Sequence, residues 1–473
     1  MSLLVAGSPL LAVALAAFAL RRPPVQAAGI GAAMATGIFV WMSAGDSGAT
    51  IGIVAGTLVL SANVAAVILP GLLFVEVTQR QGAGAALGRW VQGIPAAPGL
   101  KIVLLVVGLA PFVESLTGFG VSLVAILPAA LALLPREAGL RAALLGMNVM
   151  PWGTLGLATI VGGQLAAIPT GVLGQGTALT SSLIFPAAGL LAALTAGERR
   201  PAGMALAIGL GGLFSLVLWT VNGVLGAEIA GVLAGAATLA TIAGGLLLLG
   251  GRPGLPEVTA WPYLGLFGLV LMLRVVLTAF PELEAIRVTA GDTSWAPLTS
   301  PGLPLLLAAL MAARGSGLAG DVRAALGRAV KPLAAVALFL LMSQAMVHGG
   351  MVATLAGTLT GLDAGVGLGL VAAFGIVSGY MTGSNIGGNA LLMKPAAALG
   401  DQHGAELLFS AVQNSAAGHG VLASVPIVAL LASLAGADAN EQGRLMRFGL
   451  AVAVLNGILI VLAARLWSSL GAI

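Results

Sequence analysis

The sequence is dominated by long apolar runs, separated by short segments that hold nearly all of the charge. A membrane-spanning helix needs roughly 20 consecutive apolar residues. Only 8% of the residues are charged and 59% are hydrophobic, too little polar surface for a soluble protein of this length. The runs lie at about 3–20, 25–44, 50–77, 141–168, 178–195, 201–222, 229–250, 261–280, 298–313, 332–347, 404–436 and 445–468. We therefore predict an all-α polytopic membrane protein with about twelve transmembrane helices.

Composition also excludes several classes of function. The net charge of +4 comes from residues in the connections, so it indicates the lipid bilayer rather than nucleic acid as the partner. The chain has no cysteine, and its three scattered histidines provide no transition-metal set. It contains neither a phosphate-binding loop nor a Gly-x-Ser-x-Gly motif, so ATP-driven transport is not expected. We predict no cofactor, no metal and one integral membrane domain over 1–473.

One stretch, Lys101–Arg136, differs from the other runs because two apolar arms of about ten and fourteen residues flank a polar centre. Each arm is too short to cross a bilayer, so we expect a re-entrant helical hairpin that returns to its own side. Between the terminal Lys and Arg, the only charge is Glu114. A carboxylate at membrane depth costs about 2.5–3.5 kcal/mol on insertion scales, which marks a functional site by default. The alternative is a loop of a longer, solvent-facing connection.

Basic residues indicate the orientation, since cytoplasmic loops are enriched in Lys and Arg. If the N-terminus lies outside, all twenty basic residues fall on the cytoplasmic side except Arg274, Arg287, Lys394 and Arg465. The outer loop 281–297 is then acidic, which agrees. The opposite orientation reverses this bias.

The second half of the chain repeats features of the first. Thr117 at the first hairpin tip corresponds to Thr382 in a second predicted hairpin at 364–400, and Asn148 corresponds to Asn414. Both Asn residues fall in segments predicted to be broken helices. The separations are 265 and 266 residues. The alternative is chance similarity in a glycine-rich chain.

A short, mildly amphipathic arm precedes each hairpin, at 82–97 and about 350–362. Because each unit contains five spans, an odd number, the two halves must be inverted in the membrane. We predict repeat one at about 1–196, linking spans at about 201–250 and repeat two at about 261–470. Paired interrupted segments in inverted halves indicate the midplane binding site of a transporter.

These motifs resemble those of the lactate permease family. The stretch FVESLTGFG, which ends at Gly120, is similar to that family's Phe-x-Glu-Gly-x-x-Gly-Phe-Gly. Further matches in chain order are Asn148 with Pro151, Gly163-Gln164, Thr382-Gly383-Ser384, Asn389-Ala390-Leu391 and Asn414. The resemblance implies symport of lactate, glycolate or similar 2-hydroxy monocarboxylates with protons across a bacterial inner membrane. The layout of hairpins and arms also resembles the wider ion transporter superfamily, whose elevator-type members move a transport domain against a fixed scaffold.

Several positions depart from the family pattern. Asn385 stands where the family has Asp, and Ser115 replaces the glycine after the glutamate. Gly387-Gly388 replaces small hydroxyl residues, and Gly418-His419-Gly420 stands in a segment that lacks the family's Gly-Lys. The coupling ion and the substrate therefore stay open. The alternatives are a sodium-coupled carrier of another small organic anion and, less favoured, an intramembrane enzyme or a channel.

A small carboxylate at the midplane needs hydrogen-bond donors, which helix N-termini supply. The second hairpin arms begin just after Gly120 and near Asn389, so both N-termini are expected to point inward. The predicted substrate-binding residues are Thr117, Gly118, Phe119, Gly120, Asn148, Thr382, Gly383, Ser384, Asn385, Asn389, Asn414 and Ser415. For each side chain, the alternative role is a helix cap or an interhelical hydrogen bond.

Four ionisable residues complete the predicted site. Glu114 is the candidate for the coupling proton, because a low-dielectric site favours the uncharged form of a carboxyl; its alternative is a brace for the hairpin tip. His419 is the second candidate, since histidine titrates close to physiological pH. Arg274 and Lys394 are candidate charge partners, with bracing and snorkelling as their alternatives. The sequence leaves the oligomeric state open, a homo-oligomer included.

Overall fold

In a computed structural model, residues 1–43, 47–291, 293–313, 317–359 and 361–473 are described, and helices dominate them. The first eleven α-helices, α1 to α11, are Leu3–Ala14, Pro24–Ser43, Ser47–Arg80, Ala83–Gly93, Pro98–Leu104, Ala110–Thr117, Val121–Leu133, Arg136–Leu145, Gly153–Ala166, Thr170–Thr180 and Ile184–Thr195. Helices α12 to α22 are Pro201–Val224, Ala227–Leu248, Trp261–Ala279, Gly302–Ala312, Leu318–His348, Met351–Thr358, Ala364–Thr382, Asn385–Gln402, Glu406–Gly420, Val425–Ala435 and Ala439–Ser469. A two-stranded antiparallel hairpin, β1 (Val288–Ala290) and β2 (Thr293–Trp295), follows α14.

The predicted class, an all-helical polytopic membrane protein, is confirmed. Within the described residues, ten helical segments are long and apolar enough to cross a membrane, or up to twelve if two bent pairs each count as one span. Two of the ten, Pro98–Thr117 and Ala364–Thr382, are first arms of the predicted hairpins. The helix within the predicted span at 298–313 is shorter than predicted. It is α15, which has 11 residues and is about 16 Å long, too short to cross a membrane alone.

The first hairpin forms around the predicted turn, but its first arm is longer than predicted. It runs for 20 residues from Pro98 to Thr117 and passes through a π-helical turn, Leu105–Leu109. Pro111, which lacks a backbone N–H, lies in the first turn of α6, where the π-helical turn accommodates it. The chain then reverses so that α7 packs along α5 and α6.

The second hairpin consists of α18 and α19, which pack on each other and on α20. Its turn lies at Gly383 and Ser384, within the predicted polar centre, but the second arm begins at Asn385, four residues before the predicted start near Asn389. The two amphipathic arms form α4 and α17. Each of them packs on the second arm of the hairpin that follows it, α4 on α7 and α17 on α19.

The two predicted broken segments have different outcomes. Asn148 lies in a turn between α8 and a short 3₁₀ segment, and the helices on either side are bent by 51°. Asn414, in contrast, lies within the continuous helix α20, so the predicted break at this residue is wrong. The break follows at Val421–Ala423, because Pro426 cannot donate a helical hydrogen bond.

Candidate functional site

A cavity of about 500 Å³ lies between the turns of the two hairpins. Its polar wall comes from both turns and from the break after α8, and its apolar wall comes from α16. The residues that line it include Gly118, Phe119, Thr154, Arg328, Lys331, Pro332, Phe339, Thr382, Gly383, Ser384 and Asn385. Six predicted substrate-binding residues are among them, namely Gly118, Phe119, Thr382, Gly383, Ser384 and Asn385.

Three consecutive residues with positive φ build the first turn: Gly118 (72°), Phe119 (58°) and Gly120 (75°). Gly118 has a ψ of −164°, a combination that is essentially restricted to glycine. A Cβ at this position would lie 1.7 Å from the Thr154 hydroxyl oxygen. The backbone of the turn therefore packs directly against the broken segment, and only glycine fits.

Glu114 is fully buried beneath this turn and does not line the cavity. Its Oε1 accepts a hydrogen bond from the Gly120 amide at 2.8 Å. Its Oε2 accepts from the Ser122 amide at 3.2 Å and from the Ser122 hydroxyl at 2.7 Å. The carboxylate thus occupies the N-terminus of α7, the place where a bound anion was expected.

The N-terminus of α19 differs, because no acidic side chain among the described residues covers it. Ser384 caps the helix and accepts from the Gly387 amide at 3.5 Å. Thr382 donates to backbone oxygens of Ser378 and of Ser384, each at 2.8 Å, which fixes the turn. The first amides of α19 have no intrahelical acceptor and adjoin the cavity. Of the two predicted anion-binding helix ends, this one is open.

Asn414 lies behind the second turn, at the centre of a buried hydrogen-bond network. Its Nδ2 donates to Thr159 Oγ1 at 2.9 Å and to Thr177 Oγ1 at 3.0 Å. Its Oδ1 accepts from Asn389 Nδ2 at 2.7 Å and from Asn385 Nδ2 at 3.3 Å. The side chain links α9, α10, α19 and α20, so Asn389 and Asn414 join helices here and do not line the cavity.

Ser415 and His419 belong to a neighbouring buried cluster. Ser415 Oγ lies 2.6 Å from Thr180 Oγ1 and 3.0 Å from Ser181 Oγ. His419 Nε2 lies 3.0 Å from the same Ser181 hydroxyl, and its ring packs edge-on against Phe185. The cluster is separate from the cavity, although His419 Nδ1 has no hydrogen-bond partner in the part of the chain that the structure describes.

Two other predicted substrate-binding residues also lie away from the cavity. Thr117 is buried and donates to the Val113 carbonyl at 2.7 Å. Asn148 accepts at 2.8 Å from Asn456 Nδ2 on α22. The Thr117 hydroxyl therefore bonds within its own helix, Asn148 links its turn to α22, and the Gly120 amide closes the hairpin turn on Glu114.

Neither predicted charge partner reaches the hairpin cavity. Arg274 forms an ion pair with Glu228, in the first turn of α13, and lines a second cavity of about 620 Å³. Lys394 lies half-buried in the middle of α19 and lines neither cavity. Sequence reasoning missed two cations that do line the hairpin cavity, Arg328 and Lys331. The signal available for them was the Lys331-Pro332 pair at the start of an apolar run.

The two cavities are separated along α3 and α9. Ile68 and Ala158 line the hairpin cavity, whereas Asn63 and Gln164 line the second one. Gln164 Oε1 accepts from Asn63 Nδ2 at 3.0 Å, and its Nε2 donates to the Ser294 carbonyl on β2 at 2.9 Å. The Gln164 side chain therefore links α9 to α3 and to the β1–β2 hairpin.

Comparisons with known proteins find similarity in sequence and in structure. The family model described as L-lactate permease matches residues 282–471. An L-lactate permease of Streptococcus iniae is 23% identical over 359 residues, covering 69% of this chain and 75% of that relative. Among solved structures, the YdaH transporter of Alcanivorax borkumensis aligns over 92% of this chain and 98% of its own, with 15% identity and a TM-score of 0.47. The sequence comparisons confirm the resemblance seen in the motifs, and they relate this chain to the lactate permease family.

Proposed function

We propose that the protein is a proton-coupled secondary transporter of small 2-hydroxy monocarboxylates, such as lactate or glycolate. The observation that carries the proposal is the cavity between two hairpin turns, with the open N-terminus of α19 in its wall. Unpaired amides and the helix dipole stabilise an anion there. The relation to the lactate permease family supports the choice of substrate.

The size and polarity of the cavity suit a small hydroxy acid. Ligand sites in proteins have volumes of about 300–1,000 Å³ and combine an apolar wall with a few polar groups. Here Phe339 and its neighbours on α16 form the apolar wall, while Thr382 and Ser384 present hydroxyl groups. The amides of α19 are suited to the carboxylate, and the side chains of the turn are suited to the 2-hydroxyl.

Packing supports a division into a scaffold and a mobile unit. Helices α2, α3, α15 and α16 pack on one another, and α9, α10, α18, α19 and α20 pack on one another. The hairpin cavity lies where α16 meets α19. We assign the first group to a fixed scaffold and the second, with the first hairpin, to a unit that carries substrate across.

The paired packing of α4 on α7 and of α17 on α19 supports the inverted repeat. In this proposal, repeat one covers about 1–196, the linking spans 201–250 and repeat two 261–470. The excess of basic residues in alternate connections supports a bacterial inner membrane protein with its N-terminus outside.

Glu114 is the proposed site of the coupling proton. Of its three hydrogen-bonding groups, the two amides can only donate, so an acid proton on the carboxyl can be accepted only by the Ser122 hydroxyl. The Ser122 proton then has Met147 Sδ, at 3.4 Å, as its alternative acceptor. Proton uptake therefore reorders the bonds that hold the turn beside the cavity.

Sodium coupling is the second candidate, and a specific observation favours it. The side-chain oxygens of Asn385 and Asn389 are buried and accept no hydrogen bond from any described residue. Amide oxygens are suitable ligands for a hard cation.

The test is lactate counterflow in proteoliposomes made with the purified full-length chain. A pH gradient, inside alkaline, is expected to drive lactate accumulation that a protonophore abolishes. Accumulation that depends on a sodium gradient and is independent of the pH gradient indicates sodium coupling instead. Absence of counterflow for lactate, glycolate and related hydroxy acids refutes the function, while downhill flux without accelerated exchange indicates a channel.

A further inference from the structure

The hairpin cavity has an uneven distribution of charge. Its two cationic lining side chains, Arg328 and Lys331, lie on α16, and no Asp or Glu occurs among the described residues that line it. A cavity that receives an anion gains from such an imbalance, because a low-dielectric wall concentrates the field of a nearby cation.

Arg328 contributes little to this field. Its Nη1 lies 2.5 Å from Oε1 of Glu76 on α3, so the two charges largely cancel. Lys331, in contrast, is exposed at the cavity wall and has no ion pair with any described acidic residue. The uncompensated positive charge of the cavity is therefore at Lys331.

Lys331 is the last cation along α16 before the apolar part of the cavity wall, and it lies one turn further along the helix than the ion-paired Arg328. The next residues that line the wall, from Pro332 to Phe339, are apolar, so the ammonium group marks the transition from the polar mouth to the apolar interior. The first residues of α19 line the same cavity. A carboxylate in it can therefore interact with the ammonium group of Lys331 and with the positive end of the α19 dipole.

We propose that Lys331 recruits the substrate carboxylate at one face of the membrane and determines the apparent affinity on that face only. The inference rests on the proposed function. It is one-sided because Lys331 belongs to α16 in the scaffold, whereas the amides of α19 belong to the mobile unit. By the distribution of basic residues, the face concerned is the cytoplasmic one.

The test uses the absence of cysteine from the chain, which makes a single introduced thiol the only reactive one. Lys331→Cys is reconstituted in vesicles of known orientation, and lactate KM is measured separately on each face. The thiol is then modified with a methanethiosulfonate carrying an ammonium, a sulfonate or an uncharged methyl group. Arg323→Cys, an exposed position on the same helix that does not line the cavity, is the matched control.

We expect Lys331→Cys to raise KM on the cavity-mouth face roughly tenfold, within the range of electrostatic effects on association. The ammonium reagent should return this KM to the wild-type value, and the sulfonate reagent should raise it further. The KM on the other face and the maximal rate should stay unchanged. Lys331→Arg should behave as wild type, and Lys331→Gln as the unmodified cysteine variant.

An unchanged KM, an equal change on both faces, or restoration by the uncharged reagent overturns the assignment. If wild-type protein moves lactate and only the Lys331 effect is missing, the proposed function stands and this inference fails. If wild-type protein moves no lactate, both fail.

Discussion

The carboxylate of Glu114 accepts a hydrogen bond from the Gly120 amide at 2.8 Å and so closes the first hairpin turn upon itself. A helix N-terminus attracts an anion, and at α7 this anion belongs to the protein. At α19 the corresponding position has no carboxylate among the described residues and borders the cavity. The two hairpins therefore differ. Glu114 occupies the helix N-terminus of the first hairpin, whereas the helix N-terminus of the second is accessible to a ligand in the cavity.

Glu114→Gln is expected to abolish proton-driven accumulation while leaving lactate exchange partly intact. The glutamine amide cannot release a proton. Its NH₂ group accepts no hydrogen bond, so one of the two backbone amides that the carboxylate binds loses its acceptor. One buried donor is left unpaired, which costs about 1–3 kcal/mol of stability. Counterflow with and without a pH gradient, together with a thermal unfolding midpoint, separates the two effects. Full accumulation in this variant removes Glu114 from coupling.

Among the described partners of Glu114, only the Ser122 hydroxyl can accept a hydrogen bond from the protonated carboxyl; Ser122→Ala removes it and keeps both backbone amides in place. We expect exchange close to wild type and a shifted pH dependence of accumulation, because the protonated carboxyl loses its acceptor. Ser410→Ala, also buried but remote from Glu114, is the control. If Ser122→Ala and Ser410→Ala have identical pH profiles, the hydroxyl takes no part in proton uptake.

Gly118→Ala should be the most damaging single methyl addition in the first hairpin. The new Cβ meets Thr154 Oγ1 at 1.7 Å, and the backbone conformation itself excludes a side chain. Gly197→Ala has a similar φ of 81° but open space around the Cβ, so it measures the cost of a side chain at positive φ without a clash, about 1–2 kcal/mol. Expression and unfolding temperature should fall much further for Gly118→Ala. Equal losses in the two variants would show that contact with Thr154 is unimportant.

The sequence predicted the backbone features of the site better than its contacts. Gly383 was placed at a turn because glycine beside hydroxyl residues in an apolar run interrupts a helix, and this local signal is strong. Asn414 was assigned to substrate, whereas it joins four helices. A polar residue on a buried face can bind a ligand or another helix, and only the three-dimensional arrangement of Thr159 and Thr177 distinguishes these roles.

Lys331, in contrast, lines the cavity although the sequence analysis did not assign it to the substrate site. Its neighbouring charges indicated a cytoplasmic helix end, which is a statement about position along the membrane normal. Whether such a residue also faces a cavity depends on which helices surround α16, and those helices are distant in sequence. Arg274 was likewise recognisable as a cation within an apolar run, but its partner Glu228 lies on a separate helix and could not be identified from spacing.

The Arg274–Glu228 ion pair is expected to stabilise the fold without contributing to substrate affinity. Both side chains are partly exposed, so breaking the pair by Arg274→Met should cost only about 1 kcal/mol. The exchange Glu228→Arg with Arg274→Glu should recover part of the loss, but not all, because it places a cation at the N-terminus of α13. Unfolding temperature and lactate KM report the two quantities. A large rise in KM for Arg274→Met, not recovered by the exchange, would make Arg274 a substrate ligand.

Gln164 should control access from the side of the β1–β2 hairpin. Its two hydrogen bonds join α9 to α3 and β2, and each contributes about 1 kcal/mol. Losing both bonds removes about 2 kcal/mol, so Gln164→Leu should raise the population open on that side by roughly thirtyfold. Ala158→Cys lines the hairpin cavity and provides the only thiol, so its labelling rate by an impermeant reagent added on the β1–β2 side measures this opening. Asn63→Leu should increase the rate less, because it removes one of the two bonds, and the double variant should match Gln164→Leu, since the same contact cannot be lost twice. A fully additive double variant would mean that Asn63 and Gln164 act separately and that the contact between them does not close this side.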